Sequence, residues 1–272
     1  MSRSHRQYRE YYKLLEEDFC ATERYLYIDP DNFSGFSSEF IKLLQTICSE
    51  IDITLRFLCN LLDPCFKGNA FPEYCKCILD KNPFFPRANV TIRKVDSLML
   101  APWLGWEYHQ KITKRGNLHI DAINPEWWTM YNKVKHDRIA IRPETNKPYY
   151  KYANQKNVLD ALAALFIVDS YSFHLLYERM PDEQKDTLFL QEWYESSKLF
   201  SGCIIAGSIK WVTLEIYLNT YSKAHWVCLL PQVVVLTSQD CFIYQSQFSR
   251  DYLLNWDWIY YCRLSLYRIL RH

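Results

Sequence analysis

The sequence predicts a mainly α-helical protein, a bundle of antiparallel helices carrying a long irregular insertion and a C-terminal tail with strand-forming runs. Three observations predict it. Phe40, Leu44, Ile47, Ile51, Leu55, Leu58 and Leu62 recur every three or four residues without a break, the period of one helix face. Asn124-Pro125-Glu126 joins a capping side chain, a proline fitted to the first helical position and an acid at the positive end of the dipole. It precedes apolar positions at Trp127, Met130, Tyr131 and Val134. The stretch from Val158 to Val168 is apolar nearly all round, the mark of a helix enclosed on every side.

Composition agrees. Of 272 residues, 49% are hydrophobic and 17% aromatic, which is enough for a sizeable core and excludes a disordered chain. Six glycines are too few for a chain of Gly-rich turns or a phosphate-cradling loop. The net charge of +1 excludes a global basic field, so any nucleic-acid contact must come from a local patch. The start Met-Ser-Arg-Ser-His-Arg is charged and lacks the apolar core of a signal peptide. No run reaches the roughly 18 apolar residues expected of a membrane span. The ten cysteines therefore read as reduced thiols of a cytoplasmic protein without membrane association.

Taken in order, residues 4–19 place Tyr8, Tyr11, Tyr12, Leu15 and Phe19 at helical spacing. A turn cluster at 29–35 follows. Ser37 or Ser38 opens the long helix, which Asp63-Pro64 ends. Beside its seam Glu50 and Asp52 are acidic, and Arg56 stands four residues after Asp52, the spacing of a solvated ion pair. Pro72-Glu73 starts a short helix. Residues 84–121 read as a long ordered loop with one or two short strands, extended at Ala88–Ile92, packed by Trp103 and Trp106, and carrying a basic run of Lys111, Lys114, Arg115 and His119. Beyond the helix at 124–138, Pro143, Asn146 and Pro148 mark turns. Asn154 or Gln155 opens a helix to about Arg179, and Pro181-Asp182-Glu183 caps another reaching Lys198. Residues 1–200 thus form a helical domain. Residues 201–272 form an extension with strand-favouring runs at 204–205, 211–217 and 233–236, and a stretch at 251–270 that suits either strand or helix.

Common catalytic signatures are absent. There is no Gly-x-Ser-x-Gly elbow, no Walker loop and no dinucleotide fingerprint, and no cofactor is expected. Cys75-Lys76-Cys77, with Cys65 and Cys59 upstream, lacks the second pair a zinc site needs, so the thiols read as small buried hydrophobes and no metal site is expected. One cluster stands out. Asn132 and His136 lie four apart, with Lys135 between them and Arg138 just beyond. An imidazole can give or take a proton at a ribose or phosphate oxygen, and cations can neutralise charge developing on a pentacovalent phosphorus. The alternative is a surface face whose His136 pairs with Asp137 or Glu126.

The residues that carry this cluster also carry a resemblance. Trp127-Trp128-x-x-Tyr131-Asn132-x-Val134-Lys135-His136-x-Arg138, followed by Ala153-Asn154-x-x-Asn157-Val158-Leu159-x-Ala161-Leu162-Ala163-Ala164-Leu165-Phe166, resembles a bacterial branch of the HEPN-like superfamily. Cys48-Ser49-Glu50-Ile51-Asp52 is similar to that branch's first core helix. The resemblance spans roughly 35–200. It implies a bundle of four or five helices and a metal-independent endoribonuclease or RNA-binding component of a bacterial defence or toxin system. It also implies a homodimer with its site across the two-fold, and an antitoxin or defence protein as partner. Asn132 and His136 match the polar residue and histidine of the motif, as catalytic residues. Lys135, Arg138, Tyr131, Glu50 and Asp52 are expected to bind. Tyr131 occupies the motif's arginine position; branches without that arginine are often inactive modules that bind nucleotide or protein, which is the second reading.

Overall fold

The computed structural model describes residues 3–95, 98–112, 116, 118–181, 185, 197–204, 226–229, 232–236 and 241–245. The chain divides into two compact units, Met1–Ile216 and Tyr217–His272. The first is mainly helical: α1 (Arg3–Ala21), α2 (Ser38–Leu62), α3 (Phe71–Lys81), α4 (Glu126–Asp137) and α5 (Gln155–Glu178).

Local chemistry fixes most ends. The Ser37 hydroxyl accepts from the Phe40 amide to start α2, and the Asn154 side chain accepts from the Asn157 amide to start α5, each satisfying an orphan donor of the first turn. Glu73 reaches back to the amides of Asn69 and Ala70 at the start of α3. The expected cap at Asn124 does not form. Pro125 holds the cap position without a side-chain bond, and Glu126 instead pairs with Arg142.

The helices are not all antiparallel. Tyr8 meets Phe57 and Phe19 meets Phe40, so α1 runs against α2; Arg9 meets Asp169 and Tyr12 meets Phe166, so it also runs against α5. The two longest helices, α2 and α5, run the same way. Gly35 accepts from the Gln155 amide where both begin, and Arg179 donates to the Leu61 carbonyl where both end. The expectation of an antiparallel bundle is corrected here. The excursion from Asp63 to Asn154 returns the chain to the end at which α2 started, so α5 repeats its direction.

That excursion is more ordered than a loop. β1 (Asn89–Ile92) pairs with β2 (Met99–Leu100) on one side and β7 (Phe200–Ile204) on the other, all antiparallel. The first unit therefore continues past residue 200. β3 (Glu107–Ile112) and β4 (Leu118–Ile123) form a hairpin, and β5 (Ile141–Arg142) with β6 (Lys147–Pro148) a second. Asn146 takes a φ of 52° in that second turn, which an asparagine tolerates better than most residues. In the second unit β8 (Trp226–Leu229), β9 (Gln232–Leu236) and β10 (Cys241–Gln245) make an antiparallel meander, with the run 233–236 inside β9. The runs at 211–217 and 251–270, and almost all of the helix expected at 182–198, lie outside the described residues.

The core centres on α5. Val158, Leu162 and Phe166 are fully buried, as are Leu44, Ile51 and Leu58 of α2. α5 is long and apolar enough to cross a membrane by length and composition alone, and 89% of that window is buried inside the protein. Its apolar surface is taken up by α1, α2, α4 and the β1 sheet. Ala161, Ala163 and Ala164 are also fully buried, and small residues let neighbours approach closely. Leu162→Ala should lower unfolding free energy by about 2–5 kcal/mol, measured by denaturant titration; a midpoint unchanged from wild type would show that this position tolerates a cavity the packing does not allow.

Candidate functional site

The site is set by how α4 is anchored. The Trp127 indole donates to the Pro102 carbonyl at 2.7 Å and meets Trp103 edge-on. Trp128 stacks on Phe71 of α3, ring centroids 3.9 Å apart and planes 11° apart. Trp103 in turn donates to the Ala164 carbonyl of α5. Offset and edge-on aromatic pairs add specific geometry to large buried areas, so the first half of α4 is fixed and its second half is presented.

The presented half divides by helix angle. Tyr131 points inward, buried against Trp128. Burial pushes its hydroxyl pKa up, partly opposed by Lys135. The Lys135 ammonium lies 5.5 Å from the centre of the Tyr131 ring and faces Asp52 of α2, whose carboxyl is held above its usual range by burial and pulled back by Arg56 and Lys135. Arg56 bridges Asp52 at 3.5 Å and the Tyr74 hydroxyl of α3 at 3.2 Å. Lys135, Asp52, Arg56 and Tyr74 thus make a continuous polar seam from α4 across α2 to α3.

Asn132 and His136 lie on the neighbouring ridge. Asn132 is half-buried and donates a side-chain amide N–H to the Trp128 carbonyl at 3.0 Å. His136 and Arg138 are exposed. Neither makes a side-chain hydrogen bond or ion pair among the described residues; Glu126, one partner expected for His136, is engaged by Arg142. Some cations elsewhere are paired: Lys42 with Glu39, Lys76 with Asp80, Lys156 with Asp160 and Lys198 with Glu17. The cations at 135–138 sit at the C-terminal end of α4, where the helix dipole stabilises positive charge; an anion there would be held by side chains, not by helix amides.

Two expected contributions separate from this cluster. Glu50 does not join Asp52: it is buried on the opposite side of α2, raised by burial and by Asp169 of α5. Two residues of the insertion's basic run are also occupied, because Asp121 of β4 is contacted by Lys111 from β3 and by His119 along its own strand; Lys114 and Arg115 lie outside the described residues. Sequence reasoning missed Arg9, Asp169 and Glu16. Arg9 and Asp169 form a fully buried ion pair at 3.1 Å, with the guanidinium over the rings of Tyr12 and Phe166. Buried Glu16 accepts from Tyr12, Ser197 and the amides of Lys198 and Leu199. The signal was present: Arg9 and Glu16 share the helical spacing of Tyr12 and Phe19, and Asp169 interrupts an apolar helix.

No family model, curated protein or solved structure matches the chain.

Glu50 gives a pH test. Its folded pKa is raised, so its ionised form is disfavoured in the native state; stability is greatest below the unfolded value of about 4.3 and is lost as pH rises through the folded value. Glu50→Gln should raise the melting temperature at pH 7 and lose that advantage near pH 4. A variant less stable than wild type at pH 7 would mean that the ionised carboxylate is held by a favourable partner.

Proposed function

We propose that this chain is a HEPN-like, RNA-directed protein of a bacterial defence or toxin system, and that the exposed end of α4 takes the RNA phosphate. The observation that carries the reading is that His136 and Arg138 are exposed and, among the described residues, make no side-chain hydrogen bond or ion pair, beside Lys135 and half-buried Asn132. Lys135 and Arg138 at the C-terminal end of α4 supply a local positive patch in a chain of net charge +1.

The chemistry follows from the groups. The His136 imidazole removes the proton of a ribose 2′-hydroxyl; the freed oxygen attacks the adjacent phosphorus, the bond to the 5′-oxygen breaks, and a 2′,3′-cyclic phosphate remains. Lys135 and Arg138 balance the charge of the pentacovalent stage, and the Asn132 side-chain oxygen orients the imidazole. The leaving 5′-oxygen takes its proton from a second imidazole, which an isologous two-fold pairing of two α4 ends supplies. No metal enters this scheme.

A second reading has its own observation. Tyr131, at the motif's arginine position, is buried against Trp128 and cannot offer the planar, bidentate cation of an arginine to phosphate. Lys135 over its ring supplies only a point charge. This favours a surface that holds RNA or nucleotide without cutting it.

Incubating the purified protein with a mixed RNA pool in EDTA decides between them. The catalytic reading expects cyclic-phosphate ends from a protein that sediments as a dimer, abolished in His136→Ala at unchanged melting temperature and weakened about tenfold or more in Lys135→Ala, the loss depending on salt. Binding without cleavage supports the second reading, and neither binding nor cleavage refutes both.

A further inference from the structure

Three thiols meet where α3 crosses α2. Cys59 and Cys75 are buried and Cys77 is half-buried. The Cys77 sulfur lies 3.9 Å from the Cys59 carbonyl oxygen, and the Cys59 sulfur 3.9 Å from the Tyr74 carbonyl oxygen, so each thiol rests on the other's helix. A disulfide needs an S–S bond of about 2.05 Å with Cβ atoms roughly 3.5–4.5 Å apart, and the mutual sulfur-to-backbone contacts set the two side chains beside each other for that closure.

From this geometry we propose that Cys59 and Cys77 are a peroxide-responsive dithiol that closes to a disulfide between α2 and α3.

The two sulfurs differ in access, Cys59 being buried and Cys77 half-buried. The hydrogen bond from Cys59 lowers the Cys77 pKa, with Lys81 assisting and burial, Asp63 and Asp80 opposing. The same bond and burial push Cys59 up, and burial pushes Cys75 up to about 12. The half-buried, more acidic Cys77 is the attacking thiolate, since thiolate character and access govern oxidation. Its sulfur attacks one oxygen of a hydroperoxide, breaking the O–O bond and giving a sulfenic acid with release of water or alcohol. The Cys59 sulfur then displaces the sulfenic hydroxyl as water, its proton leaving with it. Two thiols and one peroxide thus yield one disulfide, one water and the water or alcohol from the peroxide. Cys75, on the same helix, and exposed Cys65 are the competing fates. The bond would form one turn beyond Arg56, whose contact with Tyr74 ends the polar seam from Lys135.

The test treats the full chain with a slight excess of hydrogen peroxide, blocks residual thiols with N-ethylmaleimide, and maps non-reduced peptides by mass spectrometry. The expected product is an intramolecular Cys59–Cys77 link, two hydrogens lighter and reversed by dithiothreitol, retained in Cys65→Ser and absent from Cys77→Ser. Because the mapping on wild-type protein needs no variant, a folding defect in either substitution leaves the answer intact. A link through Cys65 or Cys75, an intermolecular link, or sulfinic acid at Cys77 without a link would overturn the proposal.

Discussion

The parallel packing of α2 on α5 is the constraint from which the rest of the first unit follows. Each helix presents an apolar face too long for one neighbour to cover, and together they leave grooves that α1 fills from one side and α4 from another. Their common direction forces the chain between them to travel back the length of the pair. That return holds the aromatic cluster of Phe71, Phe85, Trp103 and Trp106, and Trp127 and Trp128 dock on it. The ridge of Asn132 and His136 points outward because the opposite side of α4 is committed to those rings.

Within this apolar frame the charged groups are few and placed at junctions. Arg9 of α1 meets Asp169 of α5 with no access to water, and Glu50 of α2 lies close enough to feel Asp169. A buried ion pair gives little net stability over an apolar replacement, but breaking it by removing one partner is costly; its effect is to fix which residues of α1 and α5 face each other. Glu16 does similar work at the edge. Its carboxylate gathers the Ser197 hydroxyl and two backbone amides, which positions the chain entering β7 for pairing with β1.

Much of this architecture is legible in the sequence because it rests on period and caps. The seam from Phe40 to Leu62, the caps at Ser37 and Asn154, and the apolar centre of α5 are local patterns, and the helices begin and end where those patterns say. What is not legible depends on pairing. Helix direction is decided by where the excursion returns, and β7 is identified by its partner β1, more than a hundred residues earlier. Asn124 looked like a cap because Asn-Pro-Glu suits one, but Glu126 is drawn to Arg142 of a distant hairpin. The site follows the same division. That Asn132 and His136 share a ridge follows from their spacing, and Tyr131 was readable as an apolar position. That Glu50 and Asp52, two residues apart, face opposite sides of α2 also follows from helix geometry. That one meets Asp169 and the other Lys135 required the fold.

We propose the end of α4 as the surface that takes RNA. Photo-crosslinking purified protein to RNA bearing 4-thiouridine, followed by mapping of the modified peptides, addresses it without assuming catalysis. The account predicts adducts concentrated in residues 132–138 and suppressed by raising salt. Adducts confined to the β3–β4 hairpin or the second unit, with none on α4, would contradict it.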